Sequence, residues 1–340
     1  MRKALIYITA GLSCLLFIVI CIGSITIVAQ TPITGEWRIE SRSHRPDRPA
    51  RPHRADNDDE DEPGMPREDM SGKVNIQFEH WRAGNGHNSI GQNYSYAELG
   101  LTEQQVQSGG PVRFRLAREA GTVDGEGTCA SGDCKGTFTF TPNGGYLSAM
   151  RAKGFDFEDP KRGIRFDKDD AGKNSVEERL LSAALLNVTT ALADDLNSAN
   201  FGQLDVDDLF KAAIFHIDGK YAAEMKSTGF PNLTFEDLVK GRIFKIDANY
   251  VRQVHDMGFD NRSFEGLVKF RIFKVTPEFL NELKTAGLQN LESEDIVKAR
   301  IFHIDGDYVR KARAEKPDAT IEDMVRMKIG VGRNRGGDWQ

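Results

Sequence analysis

His87 and Ser89 stand two residues apart in the run GNGHNSIG, a base and a nucleophile if their side chains were to meet. No G-x-S-x-G elbow surrounds Ser89, and the chain holds no H-E-x-x-H, no phosphate-binding glycine loop and no S-x-x-K. Both are read as loop residues, and no catalytic residue is assigned. The run DKDDAGKNSVEE imitates a calcium loop, with Asp167, Asp169, Gly172 and Glu178 at the first, third, sixth and twelfth places. Its fifth place is Ala171, and Glu178 is already explained as the capping-box partner of Ser175. His216 and His303 fall where Lys245 and Lys274 fall in equivalent positions, so that place takes any cation. No metal and no cofactor is expected. Cys129 and Cys134 bracket ASGD between two strand-like runs, and outside the cytosol such a pair should oxidise to a disulfide. Cys14 and Cys21 lie in an apolar run and are read as filler.

Charged residues recur in columns. Lys211, Lys240, Lys269, Lys298 and Arg326 form one, and Asp207, Glu236, Glu265, Glu294 and Glu322 precede it by four residues. That order favours ion pairs along a helix, so this face is expected to neutralise itself. Arg242, Arg271, Arg300 and Lys328 form a second column without a regular acidic partner. The three arginines are the candidate contacts for an acidic peptide or protein partner.

What must position these columns is a repeated unit. Ile214, Ile243, Ile272 and Ile301 are spaced by 29 residues and Ile329 follows after 28, a period typical of stacked arrays. Within each unit a first helix such as FEDLVKGRIFKI is followed by a second such as ANYVRQVHDM. Asp218, Asp247, Thr276 and Asp305 are placed to cap the second helices, and Gly229, Gly258 and Gly287 to end them in a left-handed turn. Asn200 stands one interval before Gly229, which makes the long helix expected from Val176 the second helix of a degenerate leading unit. Leu209, Leu238, Leu267, Ile296 and Met324, with Tyr221, Tyr250, Phe279 and Tyr308, supply apolar columns that only stacking can enclose.

Ahead of the repeats, from Gly35 to about Thr141, apolar residues alternate with period two. Trp37 and Ile39; Val74, Ile76 and Phe78; Val112, Phe114 and Leu116; and Phe138 and Phe140 form buried faces of an antiparallel sheet or small barrel. The stretch SYAELGLTEQQVQSGG reads as a short helix crossing between strands. The fold class expected is therefore α+β and multidomain. A β domain spans 33–145 with a disordered, Arg/Pro/Asp-rich insertion at 41–71, a short helix and linker follow at 146–174, and an α-solenoid of 29-residue two-helix repeats spans 175–331 before a tail at 332–340. Residues 1–30 begin Met-Arg-Lys and run on uncharged to Ala29, as a membrane anchor or a cleaved signal would, which sends the remainder across the membrane. A net charge of -6 gives no reason to expect a nucleic-acid partner.

EDLVKGRIFKIDANYVRQVHDMGF and VTPEFLNELKTAGLQNL resemble repeats that follow the membrane metallopeptidase domain in antirepressor proteins of the beta-lactam-sensor type from soil bacteria such as acidobacteria. The segment from GEWRIE to FTFTPNGGYLSAMRAKGF is similar to the module preceding those repeats, so the likeness covers Gly35 to Val331. The peptidase zinc motif and the S-x-x-K serine are missing. The resemblance thus implies an extracytoplasmic binding region without the family's proteolysis or covalent sensing. The expectation is a non-enzymatic, secreted or membrane-tethered protein that binds a peptide or protein. The alternatives are a hydrolase-like enzyme with its site in the β domain or at the domain junction, and a structural envelope protein.

Overall fold

The computed structural model describes residues 31–40, 70–81, 87–159, 175–230, 232–259 and 263–330. The N-terminal segment 1–30, nearly all of the 41–71 insertion, the 332–340 tail and the calcium-like positions Asp167, Asp169 and Gly172 lie outside the described residues. Among the described residues no helix is long and apolar enough to cross a membrane.

Six strands, β1 (Ile33–Ile39), β2 (Lys73–Trp81), β3 (His87–Ser95), β4 (Gly110–Arg118), β5 (Gly121–Ala130) and β6 (Asp133–Pro142), form one antiparallel sheet in the order β3-β2-β1-β6-β5-β4. The alternating apolar residues face its buried side as their spacing requires: Trp37, Ile76, Phe78, Leu116, Phe138 and Phe140 are all enclosed. Two glycines let aromatic rings cross the backbone there. A Cβ on Gly35 would sit 2.6 Å from the Phe138 ring, and one on Gly125 would sit 2.2 Å from the Phe114 ring. Each glycine lies directly opposite its ring in the register, so the missing side chain is what lets the two strands approach.

The sheet is not a closed barrel. β3 and β4 do not pair, because the chain between them folds into α1 (Tyr96–Leu99) and α2 (Glu103–Ser108), and α1 touches both edge strands. The single crossing helix read from the sequence is thus two, divided at Gly100, whose φ of 65° ends α1. At the other end, Ser131 (φ 54°) and Gly132 (φ 88°) make a two-residue hairpin turn that sets Cys129 directly opposite Cys134. Their sulfurs are at bonding distance, 2.01 Å.

Helices follow the sheet. α3 (Gly144–Ala152) leads into Phe155 and Phe157, both buried, with the Phe157 ring against those of Tyr146 and Phe210. The first residues of the expected linker are therefore core. α4 (Val176–Leu185) opens with the Ser175–Glu178 capping box that the sequence signals. It lies against β1, β3, β5 and β6, so the helix expected to begin the repeats also covers the sheet. Its buried Arg179 donates to the Phe157 and Asp159 carbonyls at 2.5 and 2.8 Å, fastening the chain on either side of the intervening segment.

The long helix expected from Val176 to Asn200 is broken in two. Asn187 turns left-handed (φ 53°), and the Thr189 hydroxyl accepts from Leu192 N to start α5 (Thr190–Ala199). Thr189 stands 29 residues before the Asp218 cap, and Leu180 stands 29 before Leu209. The 29-residue spacing thus extends back over both α4 and α5.

The remaining helices alternate. α6 (Val206–Ile214), α8 (Phe235–Ile243), α10 (Phe264–Ile272), α12 (Ser293–Ile301) and α14 (Ile321–Ile329) are of the first kind, and each touches the next of its kind. α7 (Gly219–Lys226), α9 (Ala248–Asp256), α11 (Pro277–Thr285) and α13 (Gly306–Glu315) are of the second. Asp218, Asp247, Thr276 and Asp305 accept from the backbone N–H three residues on, as expected of caps, and Gly229, Gly258 and Gly287 are left-handed. Leu209, Leu238, Leu267, Ile296 and Met324 are no more than 1% exposed, and burying each stabilises by about 1.5–3 kcal/mol. Tyr146 of α3 donates to the Val188 carbonyl at 3.0 Å and Tyr221 of α7 to the Ile246 carbonyl at 3.1 Å.

Candidate interaction site

Each member of the second cationic column is laid over an aromatic ring of the preceding unit. The guanidinium carbons of Arg242, Arg271 and Arg300 lie 3.7, 3.6 and 3.8 Å from the ring centres of Tyr221, Tyr250 and Phe279, and Lys328 Nζ lies 4.6 Å from that of Tyr308. A backbone carbonyl holds the cation from the side. Arg242 Nη2 donates to His216 O (2.7 Å), Arg271 Nη2 to Lys245 O (2.8 Å) and Lys328 Nζ to His303 O (2.6 Å). These carbonyls close the first helices, where the helix dipole is negative and a cation is favoured. Burial pushes the phenols of Tyr221 and Tyr250 up to about 12, so both rings are neutral at physiological pH.

The three arginines singled out by sequence as partner contacts are thus first of all clasps between units. Sequence reasoning aligned the residues beneath them but missed their backbone conformation. His216, Lys245, Lys274 and His303 are all left-handed, with φ between 50° and 54°, a conformation that side chains other than Gly and Asn seldom take. Asn187, one interval earlier, was the available signal.

The first column also behaves differently from its expected form. Lys240 Nζ meets Glu265 at 3.1 Å, Lys269 meets Glu294 at 2.8 Å, and Lys298 meets Glu322 at 3.1 Å; Lys211 pairs with Glu236 in the same way. The pairs run from unit to unit, not along a helix between residues four apart. Neighbouring first helices lie side by side, which brings the next unit's carboxylate to the lysine. These hydrogen bonds to the next unit's glutamate raise the pKa of Lys240, Lys269 and Lys298.

Where the clasp would meet the sheet, both of its members are replaced: Leu192 stands in the ring column and Ala213 in the arginine column. A cavity of about 350 Å³ opens there, lined by Asn93, Glu98, Arg118, Asn187, His216 and Asp218 among others. His216 and Asp218 converge on this junction without a serine. His87 and Ser89 lie on β3 and are not joined to each other: Gln77 donates to Ser89 Oγ, while His87 Nε2 is 3.7 Å from the Glu79 carboxylate.

Of the five isoleucines spaced by 29 or 28 residues, Ile214 is half-buried and the last four are exposed. Ile243, Ile272, Ile301 and Ile329 are 40%, 51%, 44% and 55% exposed, and each directly follows a member of the arginine column at the end of its helix. Because α8, α10, α12 and α14 lie side by side in turn, these ends line one edge. Lys245 and Lys274 add charge two residues beyond the isoleucines. Nearby acids are engaged within the chain: Asp247 accepts from Tyr250 N, Asp305 from Tyr308 N, and Asp307 pairs with Arg310. The edge therefore combines apolar surface with cations. No protein-family model, no curated protein and no solved structure matches this chain.

Proposed function

We propose that the chain is a non-enzymatic, extracytoplasmic binding protein whose helical part is an α-solenoid of 29-residue, two-helix units. Its isoleucine edge receives a peptide or protein partner. The observation that carries this reading is the recurrence of a large exposed isoleucine at the same helix end in four successive units, next to a cation in each. Single exposed apolar residues are ordinary on protein surfaces, but a row aligned by the fold marks an interaction site. The paired cysteines and the apolar start of the sequence support an oxidising compartment outside the cytosol. The test is capture from envelope extracts by the immobilised full chain and by its Ile243→Ser/Ile272→Ser/Ile301→Ser variant. Loss of the captured partner with an unchanged thermal unfolding curve is the expected result. Equal capture by both proteins would remove this edge from consideration.

A further inference from the structure

We infer that the partner of the isoleucine edge is an acidic polypeptide in the polyproline II conformation, with an apolar side chain at every third residue. This rests on the reading of that edge as the binding face and adds the partner's chemistry and register. Helices packed side by side place their axes about 8–10 Å apart, so the isoleucines at equivalent helix ends recur at about that interval. A polyproline II helix has three residues per turn and rises about 3.1 Å per residue, which returns a side chain to the same face every 9.3 Å or so. A β-strand returns one after about 6.7 Å and drifts out of step within two units. A strand also needs an edge to pair with, and this row is made of helix ends that offer none. Polyproline II backbone keeps its water, so it needs only side-chain pockets and charge from its host.

Charge sets the sign of the partner. Arg242, Lys245, Arg271, Lys274, Arg300 and Lys328 lie within two residues of an exposed isoleucine. The acids on the same edge keep their charge, since Asp247 and Asp305 accept only from backbone N–H groups and Glu278 is hydrogen-bonded to backbone and to Thr276, while Asp307 is paired with Arg310. Six cations against Asp247, Glu278 and Asp305 leave the named charges of the edge net positive, which suits carboxylates between the apolar residues of the partner.

Fluorescence anisotropy with the full-length chain and labelled synthetic peptides tests this. The probes are five repeats of Leu-Pro-Glu, a four-residue register (Leu-Pro-Pro-Glu), a basic form (Leu-Pro-Lys) and an acidic helix with one leucine per heptad. The Leu-Pro-Glu peptide should bind at least tenfold more tightly than the other three. It should also bind at least tenfold more weakly to the Ile272→Ser/Ile301→Ser variant, whose altered residues are exposed and whose fold is checked by circular dichroism. If the four-residue or helical peptide binds as tightly and depends on the same isoleucines, the polyproline register is wrong while the edge stands as a binding face. Tighter binding of the basic peptide overturns the charge assignment. If no peptide's binding depends on the isoleucines, the inference and the binding reading beneath it both fall.

Discussion

A guanidinium on a tyrosine ring couples two units only if both members are present, and the chain itself shows the alternative in Leu192 and Ala213, where both are absent. Removing Arg271 takes away a cation–π contact of about 0.5–2 kcal/mol and a charged hydrogen bond to the Lys245 carbonyl. Arg271→Ala is therefore expected to lower stability by about 1–3 kcal/mol. A double-mutant cycle with Tyr250→Leu in urea should return a coupling of about 1 kcal/mol. A second prediction concerns acid. The Lys316 side chain, followed by the Thr320 backbone N–H, holds the Asp323 carboxyl at about 2, below its ordinary 3.8. A folded-state pKa below the unfolded one stabilises above the unfolded value and is lost as pH falls through the folded value. Asp323→Asn should thus be less stable than the parent at pH 7, with the difference shrinking as pH falls below 3.8 and vanishing only below about pH 2, as followed by circular dichroism of acid-titrated samples. The interval of 29 residues identified Arg242, Arg271 and Arg300 as equivalent. It could not show that each reaches back 21 residues to a ring, because sequence spacing marks equivalence within units and not contact between them.

At the scale of elements, the caps were the most legible feature, since a hydroxyl or carboxylate accepting a backbone N–H acts within three residues. The break between α4 and α5 was not read, because the apolar period runs on through Leu185, Leu186 and Val188 and hides the Thr189 cap. Stepping back 29 residues from Asp218 would have found it. Thr189→Ala should cost about 1 kcal/mol in thermal or urea unfolding, with the loss concentrated in α5. The open sheet was half-legible for a different reason. Alternation fixed which residues face inward, but closure depends on whether β3 reaches β4, and α1 lies between them. The lysine–glutamate pairs follow the same rule: spacing by four suggested intrahelical pairs, and the lateral packing of α8 on α10 redirected Lys240 to Glu265.

Across the whole molecule, one continuous apolar core runs from Trp37 in the sheet through Leu180 of α4 to Met324 of α14. α4 lies within that core against β1, β3, β5 and β6, directly ahead of the helical series in the chain. The sequence showed the 29-residue spacing but not this join, since the apolar residues of α4 are buried on nearly every side and display no single face. Nor did it single out the isoleucine row as exposed: an isoleucine recurring at a helix end reads as core until the lateral packing is known. The account depends on each unit being sheltered by its neighbours, so that breaking one clasp should loosen what lies beyond it. Hydrogen exchange of the Tyr250→Leu/Arg271→Ala variant measures this directly. The predicted result is faster exchange throughout α10 to α14 with β1–β6 and α4–α7 unchanged. Acceleration spread evenly over the sheet and all helices, or confined to α9 and α10, would contradict it.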